Sequence, residues 1–226
     1  MNFRIHSLLY FGVSIAFIVL ETLGSVYPGI IVKVLIIPIL IWLYFRFIKA
    51  EVNRFHRMII IALVFSWIGD VTLQLTQFKE DFFLVGLGSF LVAQLIYLVA
   101  FFTTKEPNII LKRIYLALPM VLYGVLILIL LWDGLGDMMI PVTVYCFVIL
   151  TMLLAAVNRK NKVNPQSFQL VLFGAILFVI SDSLIAINKF TQPFELARIA
   201  IMSAYVTAQF LIAIGCLRQY NLTLNK

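Results

Sequence analysis

The sequence predicts an all-α polytopic membrane protein, and two observations carry this prediction. Hydrophobic residues make up 63% of the 226 residues and charged residues only 12%, a balance well outside the range of soluble domains. The apolar residues also fall into stretches of about 20, the length that crosses a hydrocarbon core of roughly 30 Å as a helix. Because the sequence lacks the ten-residue alternation typical of membrane β-barrels, the spans are predicted to be helices.

Eight stretches have the required length, and each is an apolar run that leaves most of the charged residues in the connections. In chain order the predicted helices cover residues 8–26, 29–48, 58–75, 82–102, 114–132, 138–157, 168–188 and 197–217. The connections are too short to contain a soluble domain. We therefore expect residues 1–226 to form a single transmembrane domain whose first helix is retained, since no small-residue cleavage site follows it.

The basic residues outside these helices are distributed unequally between the two sides. Counting residues in the end turns of helices with the connections, one of the 17 Lys and Arg residues lies within a helix, thirteen lie on the side of both termini, and three lie on the opposite side, namely Lys79, Lys189 and Arg198. The positive-inside rule therefore predicts that both termini are cytoplasmic. This topology also accounts for the net charge of +7, so no nucleic-acid partner is expected.

Apart from Arg46 and Arg198, which lie in the end turns of their helices, four charged residues fall inside the predicted helices: Glu21, Lys33, Asp70 and Asp182. At a rise of about 1.5 Å per residue, Asp70 lies about 18 Å and Asp182 about 21 Å from the cytoplasmic end of its helix. Glu21 and Lys33 fall in the same outer half. Each unpaired charge at such a depth costs at least about 2.5 kcal/mol. A shared polar cavity, open toward the non-cytoplasmic side, accounts for all four.

Each of these residues also has a purely structural interpretation. The two aspartates could be hydrogen-bonded clamps between helices. Glu21 and Lys33 could form an ion pair that joins the first two helices, whereas a functional Lys33 would contact a lipid phosphate.

Uncharged polar residues add further candidates. Tyr145, Tyr205 and Gln209 could line the cavity as hydrogen-bond donors or simply pack helices together. Gln94 and Tyr97 lie nearer the cytoplasmic half and are predicted to be structural. The two cysteines and two histidines have no metal-ligand spacing, so neither a metal nor a cofactor is expected.

The chain contains a possible internal repeat. Ile68-Gly69-Asp70 in the third helix matches Ile180-Ser181-Asp182 in the seventh, and Ala93-Gln94-Leu95 matches Ala208-Gln209-Phe210 in the helices that follow. The offsets of 112 and 115 residues predict two parallel four-helix halves, a 4+4 arrangement. A pseudo-twofold axis along the membrane normal would then bring the two aspartates face to face.

The motifs around these residues resemble the YhhN family of lysoplasmalogenases. The resemblance rests on Asp70, on Gly86, Phe90 and Tyr97, on Pro141, Tyr145 and Met152, and on the stretches FVISDSLIAINKF from Phe178 and AYVTAQFLIAIG from Ala204. It covers the last six helices well and the first two loosely. Two departures are visible: Gln94 stands where many members have histidine, and Lys33-Val34-Leu35 where many have Lys-Pro-Leu.

The resemblance implies hydrolysis of the vinyl ether bond of an alkenyl lysophospholipid, giving a fatty aldehyde and a glycerophosphoethanolamine or glycerophosphocholine without a metal. The chemistry suits two acids, because one must protonate carbon while the other stabilises the cation and orients water. Burial and mutual repulsion favour a pair that holds one proton. Asp70 and Asp182 are the expected catalytic pair, and Lys33, Glu21, Tyr145, Tyr205 and Gln209 the expected substrate-binding residues. The residues leave open which aspartate is the acid.

Two other classes share some of these features. A proton-coupled transporter would also combine eight helices, a parallel repeat and buried acids, although the cytoplasmic half offers no matching polar set. An intramembrane aspartyl protease also uses two aspartates, but Trp67 stands where its Gly-x-Gly-Asp signature needs glycine. The minimal loops favour a bacterial inner membrane as the location, and the sequence defines no oligomeric state.

Overall fold

A computed structural model describes residues 3–48, 51–102 and 114–221, and within these residues the chain is all-helical. Its long α-helices are α1 Phe3–Thr22, α2 Val26–Phe47, α3 Arg54–Leu75, α4 Phe82–Phe102, α5 Leu118–Leu135, α6 Met139–Asn158, α7 Pro165–Phe190 and α8 Ala197–Asn221. Two short 3-10 helices, Ile114–Ala117 and Gly136–Met138, precede α5 and α6. The predicted all-α class is confirmed.

Seven stretches of the described residues are long and apolar enough to cross a membrane, and one of them, Tyr115–Asn158, is 44 residues long. A straight helix of that length would measure about 66 Å, roughly twice the hydrocarbon thickness. The stretch instead breaks at Gly136, whose φ of +47° is incompatible with a continuing helix. Beyond the break α6 folds back on α5, so that Gly124 faces Leu150. The polytopic membrane class is therefore confirmed.

Several helix ends differ from the predicted bounds, because hydropathy marks the apolar run and not the capping residues. Asn53 accepts a hydrogen bond from the His56 amide at 3.1 Å, so α3 begins four residues before the predicted 58. Asn164 caps α7 in the same way, through the Ser167 amide at 2.8 Å. Conversely, α5 begins at Leu118 because the residues from 114 form a 3-10 helix.

The end of α1 also lies earlier than predicted, at Thr22 instead of 26. Gly24 adopts a left-handed φ of +70°, its amide bonds the Glu21 carbonyl, and the next amide, of Ser25, bonds the Leu20 carbonyl. These two bonds form the Schellman motif that ends a helix and turns the chain. As a result Glu21 lies in the last turn of α1, beside the first turns of α2.

Two helix pairs, α3 with α4 and α7 with α8, pack closely through glycines. A β-carbon at Gly69 would lie 2.5 Å from the Phe90 ring, and one at Gly174 would lie 2.9 Å from the Ala208 carbonyl oxygen. Such close approach is typical of membrane helices, which associate through small residues. The two pairs are those that the predicted repeat makes equivalent.

One residue counted as a cytoplasmic charge in the topology argument has a different environment. Arg159, which follows α6, is fully buried. Its guanidinium donates to the Ser167 hydroxyl at 3.0 Å and lies over the rings of Phe55 and Phe101. Its side chain therefore joins α3, α4 and α7 at the end of the bundle where the termini lie, instead of facing solvent.

The charge asymmetry leads to a test of orientation. A topology reporter fused after Lys226 should be active only in its cytoplasmic form, because twelve basic residues other than the buried Arg159 remain on that side. A reporter inserted between Lys79 and Asp81 serves as the control and should give the opposite signal. Activity of the C-terminal fusion on the periplasmic side would contradict the predicted topology.

The close packing of α7 on α8 predicts a large effect of a single methyl group. Gly174→Ala should lower the free energy of unfolding by about 1–3 kcal/mol, because its β-carbon meets backbone atoms of α8 that cannot rotate away. Gly88→Ala is the matched control, since nothing lies within 4 Å of a β-carbon there. Thermal unfolding in detergent compares the two variants, and equal stabilities would contradict the close approach.

Candidate active site

A cavity of about 350 Å³, which we call the polar cavity after the charged residues that line it, opens at the end of the bundle opposite the termini. All four charged residues predicted to lie inside helices line it: Glu21 of α1, Lys33 of α2, Asp70 of α3 and Asp182 of α7. Its rim includes Arg198, in the first turn of α8. The structure thus brings these four residues together in one cavity, as the sequence predicts.

Asp70 lies deep in this cavity with only 4% of its surface exposed. The Tyr205 hydroxyl of α8 donates to its Oδ2 at 2.7 Å. Gln209, one turn further along α8, donates through Nε2 to the Tyr205 oxygen at 3.3 Å and accepts from the Tyr97 hydroxyl at 3.0 Å. The Tyr205 oxygen therefore accepts from Gln209 while the Tyr205 hydroxyl proton is donated to Asp70. Gln209 thus acts on the cavity through Tyr205 instead of lining it.

Asp182 is partly exposed to the cavity and has its own tyrosine donor. The Tyr145 hydroxyl of α6 donates to Asp182 Oδ2, and Gln94 of α4 lies beside that hydroxyl. Just before Asp182, the Ser181 hydroxyl donates to the Ile201 carbonyl at 3.0 Å and ties α7 to α8. The two aspartates are close enough to interact electrostatically. Each carboxyl therefore has a tyrosine donor from a different helix.

The predicted ion pair between Glu21 and Lys33 is replaced by a bridge. Lys33 Nζ donates to Gln74 Oε1 at 3.1 Å, and Gln74 Nε2 donates to Glu21 Oε2 at 3.1 Å. The ammonium group also lies 5.3 Å from the centre of the Phe17 ring, and Lys33 is only 8% exposed. The amide satisfies both charges because it offers an acceptor at one end and a donor at the other.

Several cavity residues were not identified from the sequence. Gln74 lies four residues after Asp70, hence on the same face of α3, and this spacing could have revealed it. Arg198 was counted only as a topology charge, yet its Nη1 donates to the Glu21 carbonyl at 3.0 Å and lies 4.0 Å from the Glu21 carboxylate. Lys189, also on the rim, lies over the Phe83 ring at 4.5 Å. Rim contacts of this kind follow from tertiary packing, which hydropathy does not encode.

The described residues contain no cluster of three or more His, Cys, Asp or Glu that could hold a metal ion. Of the two cysteines, Cys216 is buried in the core, and Cys146 is half-buried beside Gly124. His56 bonds the Tyr44 hydroxyl at 2.8 Å through Nδ1, far along α3 from Asp70.

Fold and site together define a polytopic helical membrane protein with two carboxyl groups, one buried and one partly exposed, at the base of a polar cavity. The family model that matches, over residues 29–216, is described as the YhhN family. The chain belongs to this family, and the resemblance predicted from its motifs is confirmed.

Curated relatives of known name are similar over most of this chain. Lysoplasmalogenase TMEM86B of Sus scrofa is 35% identical over 155 residues, which cover 68% of this chain and 61% of that protein. Lysoplasmalogenase TMEM86B of Homo sapiens is 28% identical, with 80% and 73% coverage. The lysoplasmalogenase of Mycobacterium tuberculosis is 29% identical, with 73% and 62% coverage. The match to the first of these therefore spans less than two thirds of its length. No solved structure matches the chain.

The bridge around Gln74 predicts a loss of stability. Gln74→Leu keeps the side-chain size but leaves the buried ammonium of Lys33 without its amide acceptor, so the free energy of unfolding should fall by about 1–3 kcal/mol. Gln77→Leu, at an exposed position in the turn that follows α3, is the control and should unfold as the parent does. Thermal unfolding in detergent measures both, and a Gln74→Leu variant as stable as the control would argue against the bridge.

Proposed function

We propose that this protein hydrolyses the vinyl ether bond of lysoplasmalogens, and that Asp70 and Asp182 form its catalytic pair. The observation that carries the proposal is the pair of tyrosine-bonded carboxyl groups at the base of one polar cavity. The name lysoplasmalogenase, shared by relatives in animals and in mycobacteria, supports both an enzyme and this substrate class.

The chemistry requires a proton donor to carbon and a carboxylate. Protonation of the vinyl carbon β to the ether oxygen leaves an oxocarbenium ion, which water attacks to give a hemiacetal; its collapse releases a fatty aldehyde and a glycerophosphoethanolamine or glycerophosphocholine. Two carboxyl groups sharing one proton supply both functions, much as they do for the similar cation of a glycosidase. A buried site strengthens the stabilisation of that cation because few water molecules screen it.

The rim of the cavity suits a zwitterionic headgroup. Arg198 and Lys189 provide cationic donors for the phosphate, and Glu21 provides an anion for the headgroup amine. Lys33 is held by Gln74 and by the Phe17 ring, so in this proposal it supplies positive potential between the rim and Asp70. Substrate binding is thereby shared among Lys33, Glu21, Arg198 and Lys189, while Tyr145, Tyr205 and Gln209 position the carboxyl groups.

The membrane arrangement that goes with this function has eight spans and cytoplasmic termini. Counting α5 and α6 as separate spans is supported by the break at Gly136 and the return of α6 along α5. The close pairs α3 with α4 and α7 with α8 support two parallel four-helix halves. The cavity then opens away from the cytoplasm, and the short connections favour a bacterial inner membrane.

The packing beneath the aspartates favours an enzyme over a proton-coupled carrier. On the side toward the termini, Tyr97, Gln94 and Phe178 are fully buried. A carrier would need an alternative opening there, whereas a hydrolase releases both products through the rim or into lipid.

Aldehyde release tests the function directly. Purified protein in detergent is mixed with an alkenyl lysophospholipid, and fatty aldehyde is measured with the saturated ether analogue as the control substrate. Aldehyde from the alkenyl lipid alone supports the proposal, and no aldehyde from a folded protein contradicts it.

The catalytic pair is tested by isosteric amides. Asp70→Asn and Asp182→Asn should each lower turnover by about 10²–10⁴-fold, because an amide cannot deliver a proton to carbon or take one from water. Both variants should unfold at about the parent temperature, since each removes a buried charge while keeping a hydrogen-bonding group. Asp133→Asn, an exposed acid outside the cavity, is the control and should keep full activity. Nearly full activity in either cavity variant would rule out the paired mechanism.

A further inference from the structure

The two aspartates differ in the space that each one faces. A second, smaller cavity adjoins the polar cavity, and Asp182 and Tyr145 line it together with apolar side chains of α4, α6 and α7, namely Phe83, Leu87, Val142, Ala186 and Phe190. We call it the apolar branch. Asp182 lines both cavities, whereas Asp70 lines only the polar one.

The groups around the two carboxyl groups also differ in charge. Asp70 feels the ammonium of Lys33 and accepts from Tyr205, and it lies on the side of the cavity that leads through Gln74 to Glu21. The ammonium partly offsets the cost of burying a charge at Asp70, so of the two carboxyl groups Asp70 is the better placed to be the anion. The charge acting on Asp182 is that of Asp70, a carboxylate, and the wall next to it is apolar. Since each carboxyl group accepts from one tyrosine, the contrast lies in the neighbouring charge and in the apolar wall, and both favour keeping the proton on Asp182.

The substrate has a matching asymmetry. In a vinyl ether the oxygen is bonded to C1′, C1′ is doubly bonded to C2′, and C2′ continues into the hydrocarbon chain. The proton must reach C2′, on the chain side, and water must reach C1′, next to the oxygen that leads to the headgroup. A headgroup at the charged rim and a chain in apolar surroundings therefore require the proton donor on the chain side.

We propose that the alkenyl chain enters the apolar branch, so that Asp182 is the acid that protonates C2′ and Asp70 is the base for the attacking water. This inference rests on the proposed function and assigns roles within it. The branch holds the first carbons after C2′, and the chain continues between α4, α6 and α7 toward lipid.

The proton balance closes over one turnover. Asp182 gives its proton to C2′, and the electron pair of the double bond forms the new C–H bond, leaving the cation on C1′ and oxygen. Water adds to C1′ and gives a proton to Asp70. When the hemiacetal collapses, its hydroxyl proton returns to Asp182, the C1′–O bond breaks, and Asp70 protonates the departing glycerol oxygen. Both carboxyl groups are then in their starting states.

Chemical rescue separates the acid from the base. Asp70→Ala opens space for azide, an anion that attacks C1′ without a base, so azide should raise substrate consumption by at least about tenfold and yield an azido ether detectable by mass. Asp182→Ala should show no rescue, because without the proton donor no cation forms for azide to attack. Rescue of Asp182→Ala instead, or of neither variant, overturns the assignment.

The position of the chain is tested separately. Ala186→Phe narrows the branch one turn from Asp182, so kcat/KM should fall about tenfold more for a long-chain than for a short-chain alkenyl lysophospholipid. Ala186→Val should give a smaller shift in the same direction, which guards against a misfolded Phe variant. Ala16→Phe, on the exposed face of α1, is the matched control and should treat both chains as the parent does.

An equal loss for both chain lengths in Ala186→Phe overturns the placement of the chain. Aldehyde release by the parent protein is recorded in the same assay. Loss of that signal would count against the function itself, whereas a normal signal with unchanged chain preference would count only against this inference.

Discussion

The cost of holding two carboxyl groups at membrane depth shapes the rest of the structure. Each aspartate takes a hydroxyl donor from a helix other than its own: Asp70 from α8 and Asp182 from α6. These donors are fixed only if four helices keep their mutual depth and rotation. The glycine contact of α7 with α8 provides part of that constraint, because backbones in direct contact leave little freedom to slide, and Gly124 of α5 packs closely on Leu150 of α6. The positions of the two tyrosine donors therefore depend on how the helices pack.

The second pair of charged residues, Lys33 and Glu21, is stabilised in a different way. Instead of a direct ion pair, Gln74 separates the ammonium from the carboxylate and satisfies both. The Schellman turn at Gly24 makes this possible by ending α1 beside the start of α2. Positive charge is thereby kept close to Asp70, and negative charge is kept at the rim near Arg198. The cavity thus has charged groups at two levels, Lys33 with Asp70 at its base and Glu21 with Arg198 at its rim.

Much of this arrangement could be predicted from the sequence, for a definite reason. The rise of a helix converts residue number into depth, so the common layer of Glu21, Lys33, Asp70 and Asp182 follows from topology alone. The identity of hydrogen-bond partners does not, since it depends on helix rotation and on pairing between distant segments. Gln74 between two charges, Gln209 acting through Tyr205, and Arg159 buried among aromatic rings all depend on such pairing. Helix ends were also missed where Asn53 or Gly24 acts through a cap.

The relay from Tyr97 through Gln209 to Tyr205 has a consequence for where hydrogen atoms can come from. Each donor in that series has its proton committed to the next acceptor, and the Gln209 amide cannot pass a proton on as a hydroxyl could. This series of hydrogen bonds therefore holds the Tyr205 hydroxyl in place and does not carry a proton to Asp70 from the side of the termini. Under the proposed chemistry, the hydrogen gained by the α-carbon of the aldehyde comes from Asp182, which is reprotonated by the water that attacks C1′, so this hydrogen originates in the water that reaches the cavity.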